Sequence, residues 1–194
     1  MVRNEARRTA LLDAAIDVLA EEGARGLTYR AVDAKAEVPA GTASNYFATR
    51  DDLMSEVAIR VTQRLAPSDE SIAESLALPR DRSLSIKFMH DIIKRADADK
   101  ACYLALMELR LEATRRSDLR TALTRTMADN LEFNIAFNEE SKLPGDRMTV
   151  ILLYFAMTGF IYERLTLPDI TEPMDLDEFI EVLVDRAIGS AGHR

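Results

Sequence analysis

Residues 28–47, TYRAVDAKAEVPAGTASNYF, read as two short helices joined by a tight turn. Thr28 carries a hydroxyl that can accept from an orphan N–H of a first turn, and Ala31, Val32, Ala34 and Ala36 supply small packing positions behind it. The pattern breaks at Ala36-Glu37-Val38, and Pro39 restarts a helix with its φ preset and its missing N–H harmless in a first turn. A second helix is therefore expected over residues 39–46. Gly41 inside it costs about 1 kcal/mol relative to Ala, so something must favour a bare backbone there, such as the close approach of a partner. Thr42, Ser44, Asn45 and Tyr46 crowd hydrogen-bonding groups onto a helix too short to need them, while Ala43 and Phe47 are left to pack inward. Polar tips on a short rigid helix suit the major groove of DNA, where Asn can bridge an adenine edge and hydroxyls can meet bases or phosphates.

Working outward, Gly41-Thr42, Asn45-Tyr46-Phe47 and Arg50-Asp51-Asp52-Leu53, with Gly23, Gly26, Leu27 and Thr28 upstream, resemble the signature of the tetracycline-repressor (TetR) family. The resemblance covers about the first third of the chain, and several spaced matches are far more specific than a lone helix-turn-helix pattern. It implies an all-α protein in which a three-helix DNA-binding domain, residues 1–47, precedes a ligand-binding and dimerisation domain, residues 48–194, with 48–65 as a connecting helix. The expected DNA-contacting set is Thr28, Arg30, Pro39, Ala40, Gly41, Thr42, Ser44, Asn45, Tyr46 and Arg50. Three residues depart from the family pattern. Asp33 stands where a small residue is usual, and Ser44 where a tyrosine is common. Glu37 stands where the turn usually has Gly, which asks a non-glycine residue to take a left-handed conformation at about 1–2 kcal/mol. These departures sustain a rival reading, a helical small-molecule binder that no longer reads DNA.

The 194 residues carry a net charge of −8, which at first speaks against nucleic acid. Residues 1–65, however, hold nine Lys/Arg against ten Asp/Glu, so most of the acidity lies downstream. Arg3, Arg7, Arg8, Arg30, Lys35 and Arg50 are then candidates for one basic face around the reading helix. Seven Gly, six Pro and an Ala-, Leu-, Glu- and Arg-rich composition without strand-like alternation point to about nine helices and no sheet. A lone cysteine, Cys102, in an apolar run fits a buried thiol in a reducing cytoplasm. The longest apolar stretch, 150–161, is about a dozen residues and too short to span a bilayer, and the N-terminus lacks a signal-peptide core, so a soluble cytoplasmic protein is expected.

The first helix is expected over 3–22, stopped by Gly23. The connecting helix runs from a Thr49 cap to Leu65 with Leu53, Val57 and Val61 as its stripe, and is read as the only rigid rod between the two domains. A Pro- and Ser-rich loop follows, with one helical turn at 71–76. Further helices are expected over 81–96, 99–116, 117–140, 145–165 and 176–189, with a broken segment at 168–173. Phe88, Met89, His90, Ile92, Tyr103, Met107, Leu111, Phe133 and Phe137 are candidates for an adaptable pocket. The resemblance implies that it holds a small effector, largely apolar. The helix over 145–165 is apolar nearly all round and must be covered on several sides. With the terminal helix it suggests a two-fold four-helix interface through Ile151, Tyr154, Phe155, Gly159, Tyr162, Phe179, Ile180, Leu183 and Val184. A homodimer would read a near-palindromic operator. No metal set, nucleophile elbow, phosphate loop or dinucleotide motif is present, so neither enzyme nor cofactor is expected.

Overall fold

The computed structural model describes residues 4–189, except for the side chain of Leu76. The chain is helical throughout these residues, with no strand among them, as its composition predicts. Eleven helices occur rather than about nine. The additions are α5 (Asp69–Leu76), which Ser68 caps through its hydroxyl at 3.2 Å, and the single turn α10 (Pro168–Thr171), opened by its proline. α5 extends the single turn expected at 71–76 to eight residues, and α10 forms in the segment expected to be broken; a proline at a first turn starts a helix as readily as it ends one.

The helices fall into two compact units. The first unit takes residues 1–66 and 99–127; the second takes 67–98 and 128–194. The first unit contains α1 (Glu5–Gly26), α2 (Tyr29–Lys35), α3 (Thr42–Tyr46), α4 (Arg50–Leu65), α7 (Lys100–Ala113) and the start of α8 (Ser117–Glu140). Its core explains why residues 1–47 do not close on themselves. Leu11, Ile16 and Leu19 of α1, Val32 of α2, Ala43 of α3 and Phe47 form one buried cluster with Leu53, Val57 and Val61 of α4, Cys102, Ala105 and Leu109 of α7, and Leu119 and Leu123 of α8. The two short helices α2 and α3 cannot cover the inner face of α1, and the later helices complete it.

α1 does not simply stop at Gly23. That residue breaks the helix with φ 69°, and the chain continues helically to Gly26. Glu108 of α7 accepts a hydrogen bond from the Ala24 N–H at 3.0 Å, satisfying a backbone donor that the break frees.

In the second unit, Met89 and Ile93 of α6 (Arg82–Ala98) pack with Leu153, Met157 and Phe160 of α9 (Arg147–Thr166) and Ile180, Val184 and Ala187 of α11 (Leu176–Gly189). Asp146 and Thr149 form a reciprocal capping box at the start of α9, and the Thr149 hydroxyl also donates to the Ala187 carbonyl at 3.0 Å, tying α9 to the end of α11. Bidentate pairs fasten Arg82 to Asp185 of α11 and Arg164 to Asp97 of α6. By length and composition α9 is long and apolar enough to cross a membrane, with 20 residues and a mean hydropathy of 1.3, a longer run than the 150–161 stretch. Its ends carry Arg147 and Arg164, each ion-paired to a carboxylate of its own unit.

Candidate functional site

The reading element is shorter than expected. α3 begins at Thr42, so Pro39 and Ala40 lie in the turn, and Gly41 is the residue before the helix with φ 90°. The sequence placed Gly41 inside a helix and sought a close partner; the reason is instead its left-handed backbone, which has nothing within 4 Å of where a Cβ would stand. Glu37 does take the left-handed conformation required of it, at φ 53°. The Val38 N–H, just beyond, donates to the Asp33 carbonyl at 3.0 Å and closes the end of α2.

Asp33 is the principal feature that residue-type reasoning missed. It is only 2% exposed, and its two oxygens accept from the N–H groups of Gly41 and Ala43, both at 2.7 Å. A substitution that looked like a defect in DNA reading thus joins α2 to the first turn of α3. A capping carboxylate displaced eight residues along the chain leaves no local pattern for the eye to find.

Around α3 the outward groups are sorted by what they already hold. Asn45 is exposed, and so is Ser44, whose hydroxyl donates to the Gly41 carbonyl at 2.9 Å. Thr42 is half-buried and donates to the Pro39 carbonyl at 2.5 Å. Tyr46 is half-buried and packs against the core beside Phe47. Thr28 caps α2 by accepting from the Ala31 N–H at 3.1 Å; Arg30, Pro39, Ala40 and Gly41 are exposed. Tyr29 donates its hydroxyl to the Phe47 carbonyl at 3.0 Å, and burial, with the charge of Asp52 adding to it, pushes its phenol pKa up.

The basic face is narrower than the sequence suggested. Arg50 donates Nε to the Leu27 carbonyl at 3.0 Å and Nη2 to the Ala24 carbonyl, so its guanidinium clips the α1–α2 connection to α4. Arg8 pairs with Glu56 and lies over the Phe47 ring, 5.3 Å from its centroid. Lys35 donates to Glu21 at 2.6 Å, a bond that raises its pKa. Arg7 and Arg30 remain exposed, and Arg3 lies outside the described residues.

Elsewhere in the first unit, a charged network binds α1, α4 and the start of α7. Arg60 holds Asp13 through two bonds of 2.8 and 2.9 Å, while Arg64 holds Asp99 at 2.7 Å and reaches Asp13 at 3.3 Å. Asp99 is at the same time the cap of α7, accepting from the Cys102 N–H at 3.2 Å. Cys102 itself is buried, and burial, with the charge of Asp99 adding to it, pushes its thiol up to about 12.

The pocket candidates divide between the two units. Tyr103, Met107 and Leu111 belong to α7 of the first, with Leu111 57% exposed. In the second, Met89 is a core residue, and His90 turns toward α11, its Nε2 3.6 Å from Asp177. That direction separates His90 from Phe88, two positions back along the helix and so about 200° round it. What the structure does bring together is Phe88, Phe133 and Phe137. Phe88 meets Phe137 edge-on with centroids 5.8 Å apart, and Phe133 stacks on Phe137 at 6.4 Å while remaining 62% exposed. Ile92 packs with Phe88 on the edge of the second core.

Among the interface candidates, Ile180 and Val184 are 0% exposed within the single chain and are core residues, with no surface left for a second copy. The aromatic Phe179 is stacked on Phe160 at 4.7 Å and half-buried, as is Leu183. Ile151, Tyr154 and Tyr162 are half-buried, whereas Phe155 is 61% exposed. Met148, Leu152, Phe155 and Gly159 form the outward stripe of α9; the first two were passed over in a helix that looked apolar on every side.

The family model described as bacterial regulatory proteins, tetR family, matches residues 11–57, and the tetracyclin repressor-like C-terminal domain matches residues 80–190. The chain belongs to the TetR family of DNA-binding transcriptional regulators. Among solved structures, a TetR family member from Streptomyces coelicolor A3 shares 26% identity at a TM-score of 0.69, over 94% of this chain and 98% of that one. The multidrug binding protein EbrR complexed with ethidium shares 27% identity at a TM-score of 0.68, over 96% and 100%. A transcriptional regulator from Rhodococcus sp. RHA1, 18% identical with a TM-score of 0.66 over 94% of each chain, shares the fold. No curated protein matches significantly.

Proposed function

We propose that the protein is a cytoplasmic, homodimeric repressor that leaves a near-palindromic operator when it binds a flat, largely apolar effector. The observation that carries the effector class is the stacked pair Phe133–Phe137 with Phe88 at its edge, Phe133 being 62% exposed. Offset stacking on such a ring favours planar aromatic molecules over branched aliphatic ones. EbrR, a relative with 27% identity, is described in complex with ethidium, which supports the same class. Dimerisation through the α9 stripe is supported by the exposure of Met148, Leu152 and Phe155 at intervals of four and three residues, one helical face. On the DNA side Asn45 is the candidate for a base edge, with Thr42 and Tyr46 on phosphates.

Selection of genomic fragments by the purified protein, repeated with ethidium present, tests this reading. Recovery of a near-palindrome whose yield falls with ethidium supports it. Recovery unaffected by planar aromatics at any concentration that stabilises the fold would leave a constitutive DNA binder.

A further inference from the structure

We infer that Asp33 is a positioning residue for DNA reading: its carboxylate sets the register of α3 and thereby decides how well operator is told from other DNA. α3 has five residues, too few to be stable as an isolated helix, and its N-cap Gly41 offers no side chain. The hydroxyls of Thr42 and Ser44 turn back onto the Pro39 and Gly41 carbonyls, so they serve acceptors and leave the first-turn donors to others. Asp33 supplies what is missing. One oxygen takes the Gly41 N–H and the other the Ala43 N–H, at 2.7 Å each, from a side chain 2% exposed.

Both donors face one carboxylate because Gly41 is left-handed and Thr42 helical, which turns the first and third of three N–H groups to the same side in the manner of an anion nest, while the Thr42 N–H between them donates to the Pro39 carbonyl. The two bonds are charge-assisted and short, and they tie α3 to α2. Two points of attachment fix a rotation as well as a distance. With the carboxylate seated, these amides are closed to a DNA phosphate, so Asp33 adds nothing favourable to sequence-independent affinity, and its loss, which removes a negative charge and frees two donors, should not lower that affinity. Its loss should therefore fall on specific binding alone, since base readout depends on orientation and phosphate attraction largely does not.

The test compares wild type, Asp33→Ala, Asp33→Asn and the buried-neighbour control Val32→Ala on two duplexes. One is the operator recovered from genomic DNA by the wild-type protein, the other a scramble of equal length. In Asp33→Ala the ratio of operator to scramble affinity is expected to fall about 10–100-fold, scramble affinity being unchanged or raised. Asp33→Asn, which keeps one acceptor oxygen, should lie between. Val32→Ala should lower the melting temperature and keep the ratio. In wild type the Gly41 and Ala43 amide protons should be shifted downfield and slow to exchange, and in Asp33→Ala both effects should vanish.

A ratio that is unchanged in Asp33→Ala overturns the proposal, as does an equal loss on both duplexes. If Asp33→Ala does not fold, Asp33→Asn decides, and wild-type discrimination by it refutes the role. A wild-type protein that selects no duplex overturns the proposal together with DNA reading itself, whereas selective wild type with an indifferent Asp33→Ala overturns it alone.

Discussion

Replacing Arg50 by Met separates two roles that the sequence could not tell apart. The family resemblance placed Arg50 among the DNA contacts, yet its Nε and Nη2 hold the carbonyls of Leu27 and Ala24. Hydrogen bonds to a charged group contribute about 1.5–3 kcal/mol each when well shielded; Arg50 is half-buried, so a total near 2 kcal/mol is the appropriate discount. Methionine keeps the apolar stem and removes only the fork. For a chain of this size the loss corresponds to a melting temperature lower by about 4–8 °C. The DNA signature should be the opposite of a phosphate contact. Each neutralised phosphate contributes about 0.9 to the slope of log affinity against log salt, and Arg50→Met should leave that slope as in wild type. Arg30→Ala, which removes an exposed charge beside the reading helices, should reduce it by about 0.9 at constant stability. Calorimetry and fluorescence anisotropy over a salt series measure both quantities. An Arg50→Met protein with unchanged melting temperature and a slope reduced by about one would show that the guanidinium meets DNA and refute the clip.

Asn45→Ala should cost about 1–3 kcal/mol at a single base position and relax preference there, whereas Tyr46→Phe should weaken all sequences alike; competition binding against single-position operator variants distinguishes them. Phe155→Glu, on the outward stripe of α9, should give monomers by sedimentation with helical content intact, while a charge at the fully buried Ile180 should instead unfold the second unit. Phe133→Ala should reduce binding of a planar aromatic such as ethidium without changing operator affinity, as followed by fluorescence titration. Because burial raises the Cys102 thiol from 9.0 to about 12, it stays protonated in the folded state where an unfolded thiol ionises. Its contribution is present in full below about pH 9 and is lost as pH rises toward about 12, so alkaline unfolding of Cys102→Ala should show less steepness in that window than wild type.

The helices were legible because their signals are local. Thr28 and Thr49 cap as their hydroxyls suggest, and the strained Glu37 could be foreseen from the residue alone. The site was legible only in part. The intramolecular roles of Arg50 and Asp33 leave no local signal, because the partners of each lie 8 to 26 residues away, where neither periodicity nor residue type carries information. Ile180 and Val184 were read as interface because an apolar helical stripe looks the same whether α6 and α9 or a second copy covers it. Which helices share a core was not legible for a related reason: the sequence shows where helices end, and packing decides what each of them covers.

The passage of the chain back into the first unit at residue 99 restricts how such a regulator can be recombined. A chimera joined after residue 47, or after 66, would leave behind Cys102, Ala105, Leu109, Leu119 and Leu123, and with them one wall of the core on which the reading helices rest. It would also leave Glu108 and Asp99, the partners of Ala24 and Arg64. The operator specificity of this protein is therefore not a portable cassette at its N-terminus. Transferring it to another effector domain requires two separate grafts, and random gene fusion, which makes one junction at a time, would rarely succeed in moving it.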